Sequence, residues 1–463
     1  MDLTPDVKKS FNPKGLILLI DVILFFVLLN LLPFDAKVNK GLALLVFVGV
    51  LWLTEALHVT VTALLVPLLA IGLGLVSTKD ALVAFADPTI FLFFGGFALA
   101  TALHIQKLDA MIANRIMALA RGNLKLAVIY LLLVTAFLSM WISNTATAAM
   151  MLPLAMGLLS KLDREKEHNT YVFVLLGIAY SASIGGMGTL VGSPPNAIAA
   201  SQLKLTFSDW LWFGLPTMVI LLPLMIASLF VVFKPNLSIK VEQNFEKIEM
   251  NSQRLMTLVI FVFTALCWIF STSLNPLVSG WFGLAKNMGS FDSVVALMAA
   301  ALIAITGVAS WQQIQENTEW GVLILFGGGL TLSEVLKNSG ASKVMADGVL
   351  FLIEGGHYYL IGLVVAAFII FLTEFTSNTA SAALLVPIFI SIAQALGMNP
   401  LGLALIIGLG ASCAFMLPVA TPPNAIVFGT GQVKQSEMVK AGIVLNIICT
   451  FVIGTVAYLF WFN

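Results

Sequence analysis

Long apolar runs separated by short polar stretches occupy nearly the whole chain. Eleven of these runs are predicted to cross a bilayer, whose hydrocarbon core takes about 20 residues as a helix. They lie near residues 15–33, 41–56, 59–76, 86–104, 169–201, 210–233, 255–273, 292–309, 319–337, 401–428 and 440–461. The pattern predicts an all-α polytopic membrane protein with about eleven transmembrane helices.

Two further apolar stretches, about 125–159 and 358–396, each carry a Ser-Asn-Thr triplet near the middle, at 143–145 and 377–379. Each stretch is too long for one span and short for two full spans. We therefore predict two re-entrant helical hairpins whose tips hold the triplets.

The two halves of the chain repeat one another. "LFFGGFALATAL" at 92–103 matches "ILFGGGLTLSEV" at 324–335, the triplets follow, and "GSPPNAI" at 192–198 then matches "ATPPNAI" at 420–426. Each half holds five spans, an odd number, so the second half would enter the membrane upside down, as in inverted-topology repeats. The predicted segments are a tail with the first helix (1–40), a first repeat (41–233), a cytoplasmic linker (234–254) and a second repeat (255–463).

Composition and charge agree with a membrane location. Hydrophobic residues make up 60% of the 463 positions and charged residues 10%, so a water-soluble globule could not cover itself with polar surface. The formal net charge of zero argues against nucleic acid as a partner. Sixteen of the 23 Lys and Arg residues fall inside if the N-terminus is cytoplasmic, which predicts an external C-terminus. Short loops suit a bacterial inner membrane.

Two Pro-Pro pairs interrupt apolar helices, and we predict broken helices at 192–196 and 420–424. Proline lacks an amide hydrogen and crowds the preceding turn, so the helix must open there. Freed carbonyls are unfavourable in hydrocarbon unless they line a cavity or bind a cation. Their oxygens, with those of hydroxyls and amides, suit a small alkali cation, and the amide ends of the restarting half-helices suit an anion.

A purely structural role is the simpler interpretation of any one of these motifs. Ser, Thr and Asn in membrane helices commonly serve packing and interhelical hydrogen bonds, and a single Pro-Pro pair usually marks a loop. Both motif types recur in both halves, however, and paired broken helices mark the binding sites of secondary transporters. The duplication therefore favours a binding site over a packing role.

The quartet formed by the two "SNT" triplets, "SPPN" at 193–196 and "TPPN" at 421–424 resembles the motifs of the divalent anion/sodium symporters, the INDY-type dicarboxylate transporters. The resemblance extends from "LWLTEA" at 51–56 through "FGTG" at 428–431. It implies a homodimer in membrane lipid, with a scaffold and a transport domain in each protomer and an elevator-type motion. It also implies two or more coupling Na⁺ ions and a C4 dicarboxylate substrate such as succinate.

The resemblance implies specific ligands, transferred by motif position. Sodium ligands would be Ser139, Ser143, Asn144 and Gly192 at one site, and Thr373, Thr376, Asn378 and Ala420 at a second. The substrate carboxylates would meet two sets of residues, Asn144, Thr145, Ser193 and Pro194 on one side and Ser377, Asn378, Thr379, Thr421 and Pro422 on the other.

No Lys or Arg lies in these motifs, so a dianion would depend on nearby sodium for its charge balance. Glu374 lies three residues before Ser377, and Met140 occupies the matching place in the first half. A carboxylate in an apolar segment raises the suspicion of function. Two roles for Glu374 stay open, a hydrogen-bonded structural carboxylate, which we favour, and a proton-coupling group.

Other activities stay open at this point. Within the same fold, the carrier could exchange dicarboxylates or take sulfate or tricarboxylates, because the motifs bind carboxylate-like oxygens without measuring the distance between them. A sodium/proton antiporter would use the helix breaks for cations alone. An intramembrane enzyme would need a nucleophile and a base, and no Ser or Cys has a candidate base next to it in sequence.

Overall fold

The computed structural model describes residues 13–239, 248–353 and 357–462, and this part of the chain is all-helical. The predicted tail at 1–12 and residues 240–247 of the predicted linker lie outside the described residues. The first half contains α1 (Pro13–Leu31), α2 (Ala36–Thr54), α3 (Val59–Gly72), α4 (Thr78–Val83), α5 (Pro88–Ile105), α6 (Leu108–Ala118), α7 (Leu124–Ser139), α8 (Asn144–Leu159), α9 (His168–Gly186), α10 (Pro194–Leu203) and α11 (Phe207–Phe233).

Within its described residues, the second half contains the same number of α-helices as the first. They are α12 (Ser252–Ile269), α13 (Ser271–Trp281), α14 (Phe291–Thr306), α15 (Trp311–Asn317), α16 (Trp320–Ser339), α17 (Ala341–Ile353), α18 (Tyr358–Leu372), α19 (Asn378–Ala395), α20 (Pro400–Gly410), α21 (Pro422–Phe428) and α22 (Gln435–Val456). A 3₁₀ turn at Ala84–Ala86 precedes α5, and a π-helical turn at Ala457–Trp461 extends α22.

Polar side chains set the starts of several helices. Asn123 accepts a hydrogen bond from the Leu126 amide at the start of α7, and Asn251 accepts one from the Arg254 amide at the start of α12. Thr206 and Asp209 form a reciprocal capping box at the start of α11. These caps satisfy amides that have no partner inside the helix, so these three helices each begin at a defined residue.

The predicted all-α membrane architecture is confirmed. Nine helical stretches among the described residues are at least 18 residues long and apolar enough to cross a membrane. The helices α3 and α14, which the sequence analysis counted as spans, are shorter, at 14 and 16 residues. The count of eleven spans, the domain boundaries and the inverted orientation of the repeats stay predictions.

Packing between the halves is reciprocal. The helix α10 contacts α19 and α20 of the second half, and α21 contacts α8 and α9 of the first half. In the same way α5 packs on α14, and α16 packs on α3. This exchange of partners is what two equivalent repeats produce when they interlock, and it brings the helices on either side of the two Pro-Pro pairs to the middle of the molecule.

Two helices form the centre of the fold, and both lead into unwound chain. Residues 170–186 of α9 and 402–410 of α20 are buried without exception. The chain is then irregular over 187–193 and 411–421, before α10 and α21 begin. Both Pro-Pro pairs therefore start a helix, where proline is favoured. The openings precede the prolines and are longer than the breaks predicted at 192–196 and 420–424.

Glycines allow the close approach of the reciprocal helix pairs. A Cβ atom on Gly95 of α5 would overlap the carbonyl oxygen of Ala296 on α14, and a Cβ on Gly328 of α16 would overlap the backbone of Ala63 on α3. Because backbone atoms cannot move aside as the end of a flexible side chain can, both contacts require glycine. Such small-residue contacts are typical of helix packing in membranes.

We expect Gly95→Val to destabilise the protein by about 1–3 kcal/mol, because the added side chain would push α5 away from α14. The matched control is Gly157→Ala in α8, where an added Cβ meets nothing within 4 Å and helix propensity favours alanine by up to about 1 kcal/mol. Thermal unfolding of the purified protein in detergent measures both. Equal midpoints for the two variants would contradict the close contact.

Candidate functional site

Both repeated motifs line one cavity of about 420 Å³. The segments 143–145 and 376–379 approach it from the tips of the two helix pairs α7–α8 and α18–α19, and 192–195 and 420–423 approach it from the two Pro-Pro helix starts. The structure thus brings together residues from four separate parts of the sequence. Every predicted substrate ligand lines this cavity.

The predicted cation ligands divide into two groups. Ser143, Asn144, Gly192, Thr376, Asn378 and Ala420 line the cavity. The other two, Ser139 and Thr373, are fully buried behind it. They nevertheless touch the cavity-lining asparagines, so the structure places all eight residues in the same two neighbourhoods.

The two neighbourhoods have the same plan. Ser139 Oγ lies 2.6 Å from Asn144 Oδ1 and 2.7 Å from the carbonyl oxygen of Ala182. In the second half, Thr373 Oγ1 lies 2.5 Å from Asn378 Oδ1 and 3.0 Å from the carbonyl oxygen of Ala411. Each hydroxyl therefore joins the asparagine of a triplet to the backbone at the central helix of its own half.

The first neighbourhood gathers several oxygen atoms around the side-chain amide of Asn144. The amide oxygen of Asn144 lies among Ser139 Oγ, the Ala182 carbonyl and the Gly192 carbonyl, and Ser139 has one hydroxyl hydrogen to share. If the amide group turned over, its nitrogen would donate to these oxygens, at 2.6, 3.1 and 3.3 Å respectively. A bound alkali cation would balance the same oxygens with the amide oxygen facing inwards, so the donor set fits sodium.

Glycine makes room for this oxygen cluster. A Cβ on Gly186 would overlap Asn144 Oδ1, and a Cβ on Gly192 would reach the carbonyl oxygen of Gly186. The cluster is therefore a cradle that only glycine at these two positions leaves open. Gly192 was predicted as a ligand through its carbonyl, and Gly186 was not predicted.

The asparagine after each Pro-Pro pair holds the unwound chain in place. Asn196 Nδ2 donates to the carbonyls of Gly186 at 2.8 Å and Thr189 at 2.7 Å. Asn424 Nδ2 donates to the carbonyls of Ala414 at 3.1 Å and Leu417 at 3.0 Å. Both side chains are fully buried. The sequence analysis took only the prolines from "PPNAI" and missed these asparagines, although their repetition was a signal.

The other fastenings differ between the halves. In the first half Thr189 Oγ1 donates to the Met140 carbonyl at 2.5 Å and accepts from the Gly192 amide at 3.2 Å. In the second half Glu374 holds the unwound segment in place. Its carboxylate accepts hydrogen bonds from the amides of Phe415 at 2.7 Å, Met416 at 2.9 Å and Leu417 at 3.1 Å.

Asn446 of α22 adds a fourth donor to Glu374, at 2.7 Å. Glu374 is fully buried and does not line the cavity of about 420 Å³. Four donors compensate a buried carboxylate well, so the geometry is that of a structural group that shapes the unwound segment. This arrangement agrees with the favoured structural interpretation of Glu374.

Helix starts supply the electrostatics of the cavity. Ser143 and Ser377 cap α8 and α19 by accepting the amide hydrogens of Ala146 and Ala380, both at 3.3 Å. The positive ends of α8 and α19 therefore point at the cavity, together with that of α10. Among the described residues that line it, no Lys or Arg is present, and the charged side chains are Glu55 and Glu319. An anion would find dipoles but no fixed cation.

The arrangement of two interlocked, broken-helix repeats around a central cavity defines a secondary transporter. The family described as "Sodium:sulfate symporter transmembrane region" matches residues 13–463. The chain belongs to this family of divalent anion/sodium symporters. The predicted family is confirmed, and the protein is an integral membrane transporter rather than an enzyme.

The similarity to related transporters extends over nearly the whole chain. An uncharacterized transporter of Haemophilus influenzae is 76% identical over 450 residues, covering 97% of this chain and 98% of that protein. The sodium-dependent dicarboxylate transporter SdcS of Staphylococcus saprophyticus is 32% identical over 486 residues, covering 97% of this chain and 92% of that protein. Its Staphylococcus aureus counterpart is 33% identical over 488 residues, with the same coverage.

A solved structure shares the fold. The Alcanivorax borkumensis YdaH transporter, whose crystal structure is described as having an unusual topology, matches with a TM-score of 0.56. The match covers 82% of this chain and 87% of that one, at 13% sequence identity. At this identity the likeness concerns the fold alone.

We expect Glu374→Gln to destabilise the protein by about 2 kcal/mol or more. One carboxylate oxygen becomes an amide NH2 group, which cannot accept the hydrogen bonds of the backbone N–H groups that face it. Thermal unfolding in detergent measures the effect, with Glu165→Gln in an exposed loop as the matched control. A variant that melts like the wild type, but whose uptake loses its pH dependence, would instead assign Glu374 a proton-coupling role.

Proposed function

We propose that this protein carries C4 dicarboxylate dianions such as succinate across the membrane, driven by sodium. The observation that supports this most is the single cavity lined by both Ser-Asn-Thr triplets and both Pro-Pro helix starts. The name of the relative SdcS, a sodium-dependent dicarboxylate transporter, supports the same substrate class. We further propose a bacterial inner membrane location, with the N-terminus cytoplasmic and the C-terminus external.

Two sodium ions would bind at the two equivalent neighbourhoods. The first would use the side chains of Ser139, Ser143 and Asn144 with the carbonyl of Gly192, and the second would use Thr373 and Asn378 with backbone oxygens of Thr376 and Ala420. Support comes from the oxygen atoms of Ser139 and Ala182 beside the Asn144 amide and from the matching hydroxyl–amide contact in the second half. Uncharged oxygen ligands of this kind suit Na⁺ better than a transition metal.

The substrate would span the two triplets. Thr145 and Thr379 extend from the first turns of α8 and α19 into the cavity. Beside the prolines, the hydroxyls of Ser193 and Thr421 are buried against the repeats, with Ser193 Oγ 3.2 Å from Ser412 Oγ. The lining of one cavity by donors from both triplets is compatible with an anion that has two carboxylates, one for each triplet.

The need for charge balance would couple the binding of sodium to the binding of the dianion. The described lining residues include the carboxylates of Glu55 and Glu319 and no Lys or Arg. Bound sodium would therefore supply the positive charge that a fixed Lys or Arg supplies in other anion sites. If sodium raises the affinity for the dianion by some factor, the dianion must raise the affinity for sodium by the same factor. Binding of either ligand alone would therefore be weak.

Transport would proceed by an elevator-type motion in a homodimer. The two equivalent unwound segments have different surroundings, which supports a transport domain at one end of its motion. Val191 in the first half packs against Gly96 of α5, whereas its counterpart Val419 is 84% exposed, as is the neighbouring Phe375 at 73%. At the other end of the motion, the second unwound segment would be packed and the first would be exposed.

We expect Asn144→Ala and Asn378→Ala each to lower sodium-driven succinate uptake by at least about tenfold, since each removes an oxygen ligand shared by cation and substrate. Radiolabelled uptake into proteoliposomes with and without a sodium gradient measures this. The exposed Asn338→Ala is the matched control. Near-normal uptake by either triplet variant would overturn the proposed site.

The same assay separates the competing activities. Uptake that requires internal dicarboxylate and no sodium gradient would indicate exchange. Sodium-driven uptake of sulfate or citrate in preference to succinate would keep the mechanism and change the substrate class. Proton movement without any organic anion would indicate a sodium/proton antiporter.

A further inference from the structure

An apolar groove with one lysine opens on the outer surface of the helices α7, α9 and α11. Its volume is about 410 Å³, similar to that of the central cavity. Apart from Lys125, the residues that line it are Val128, Ile129, Leu132, Leu133, Phe173, Leu222, Pro223, Ile226, Ala227, Phe230, Val231 and Leu237. A groove of this composition would hold hydrocarbon and not a polar solute.

The length of the groove along its helices is close to the thickness of one bilayer leaflet. Along α7 it runs from Lys125 to Leu133, and along the antiparallel α11 from Val231 back to Leu222. At 1.5 Å per residue these stretches span about 12 and about 14 Å. Half of the hydrocarbon core is about 15 Å thick, so one acyl chain would fill the groove from the membrane surface to the mid-plane.

One lysine, Lys125, lines the groove, and a second, Lys234, lies in sequence between the lining residues Val231 and Leu237. Lys125 is the second residue of α7, where the positive end of the helix disfavours a cation. Lys234 caps α11 in a left-handed conformation, with φ of +47°, three residues beyond Val231. Both are exposed, and neither takes part in the ion pairs of the described residues. Two ammonium groups without a carboxylate partner would attract an anionic group.

A second surface groove provides an internal comparison. It has a volume of about 470 Å³ and is lined by Phe85, Ile90, Phe91, Phe94, Leu297, Trp311, Trp320, Leu323 and Ile324. Its lining is also apolar, but it contains no lysine or arginine. Any lipid can cover such a surface, whereas the groove beside Lys125 and Lys234 adds a reason to prefer one headgroup over another.

We propose that the groove of α7, α9 and α11 binds an anionic phospholipid, with an acyl chain along the apolar wall and the headgroup phosphate between Lys125 and Lys234. Basic residues at the cytoplasmic end of a groove between helices are a recurring site for such lipids. The bound lipid would hold α7 against α11. Because α7 ends at Ser139, which touches Asn144, the lipid would act on the helix that ends beside the first triplet.

Lipid binding to the purified protein in detergent tests this proposal without any transport measurement. Native mass spectrometry would follow titration with phosphatidylglycerol and, separately, with phosphatidylcholine of the same acyl chains. We expect the wild type to bind phosphatidylglycerol roughly tenfold more tightly. The double variant Lys125→Gln/Lys234→Gln should bind the two lipids within about twofold of one another, because only the headgroup contact is lost.

Two further variants distinguish the groove from general charge effects. Lys14→Gln/Lys440→Gln removes the same charge from exposed positions outside the groove, and it should keep the preference. Ala227→Trp should weaken the binding of both lipids by filling the apolar wall. Equal binding of the two lipids by the wild type, or a preference that survives Lys125→Gln/Lys234→Gln, would overturn the proposal. These outcomes are independent of sodium and succinate.

Discussion

The structure depends on how the backbone is satisfied where two central helices come apart inside an apolar protein. Segments 187–193 and 411–421 leave amides and carbonyls without helical partners, and hydrocarbon provides none. Asn196 and Asn424 donate hydrogen bonds to three of these carbonyls and to that of Gly186 at the end of α9, and Glu374 accepts hydrogen bonds from three amides of the second segment. These fastenings keep the openings rigid, so the oxygens that remain free face a defined cavity.

Some side chains around the cavity hold its structure in place, and others are available to contact a ligand. Ser143 and Ser377 cap the helices that start at Asn144 and Asn378, while Ser139 and Thr373 orient the amides of those asparagines from behind. A serine or threonine near this cavity therefore need not contact the ligand. The starts of α8, α10 and α19 supply positive potential without a charged side chain, so a bound cation could complete the neutralisation of a dianion.

The repeats are equivalent in plan and different in detail. Thr189 fastens the first unwound segment with a hydroxyl, while a buried carboxylate fastens the second. The first unwound segment is packed at Val191, and the second is exposed at Val419. Two equivalent halves in unequal surroundings are what a two-position mechanism requires, because exchanging the surroundings gives the other position at similar free energy.

The sequence alone determined the membrane class and showed the repeated motifs that line the cavity, because apolar runs, duplicated triplets and paired prolines are local patterns that need no partner to be recognised. Contacts between distant residues were decided only by the tertiary structure. The glycine cradle at Gly186, the clips formed by Asn196 and Asn424, and the donors around Glu374 join positions 7 to 72 residues apart. No spacing rule encodes such contacts, since they arise from how whole helices pack.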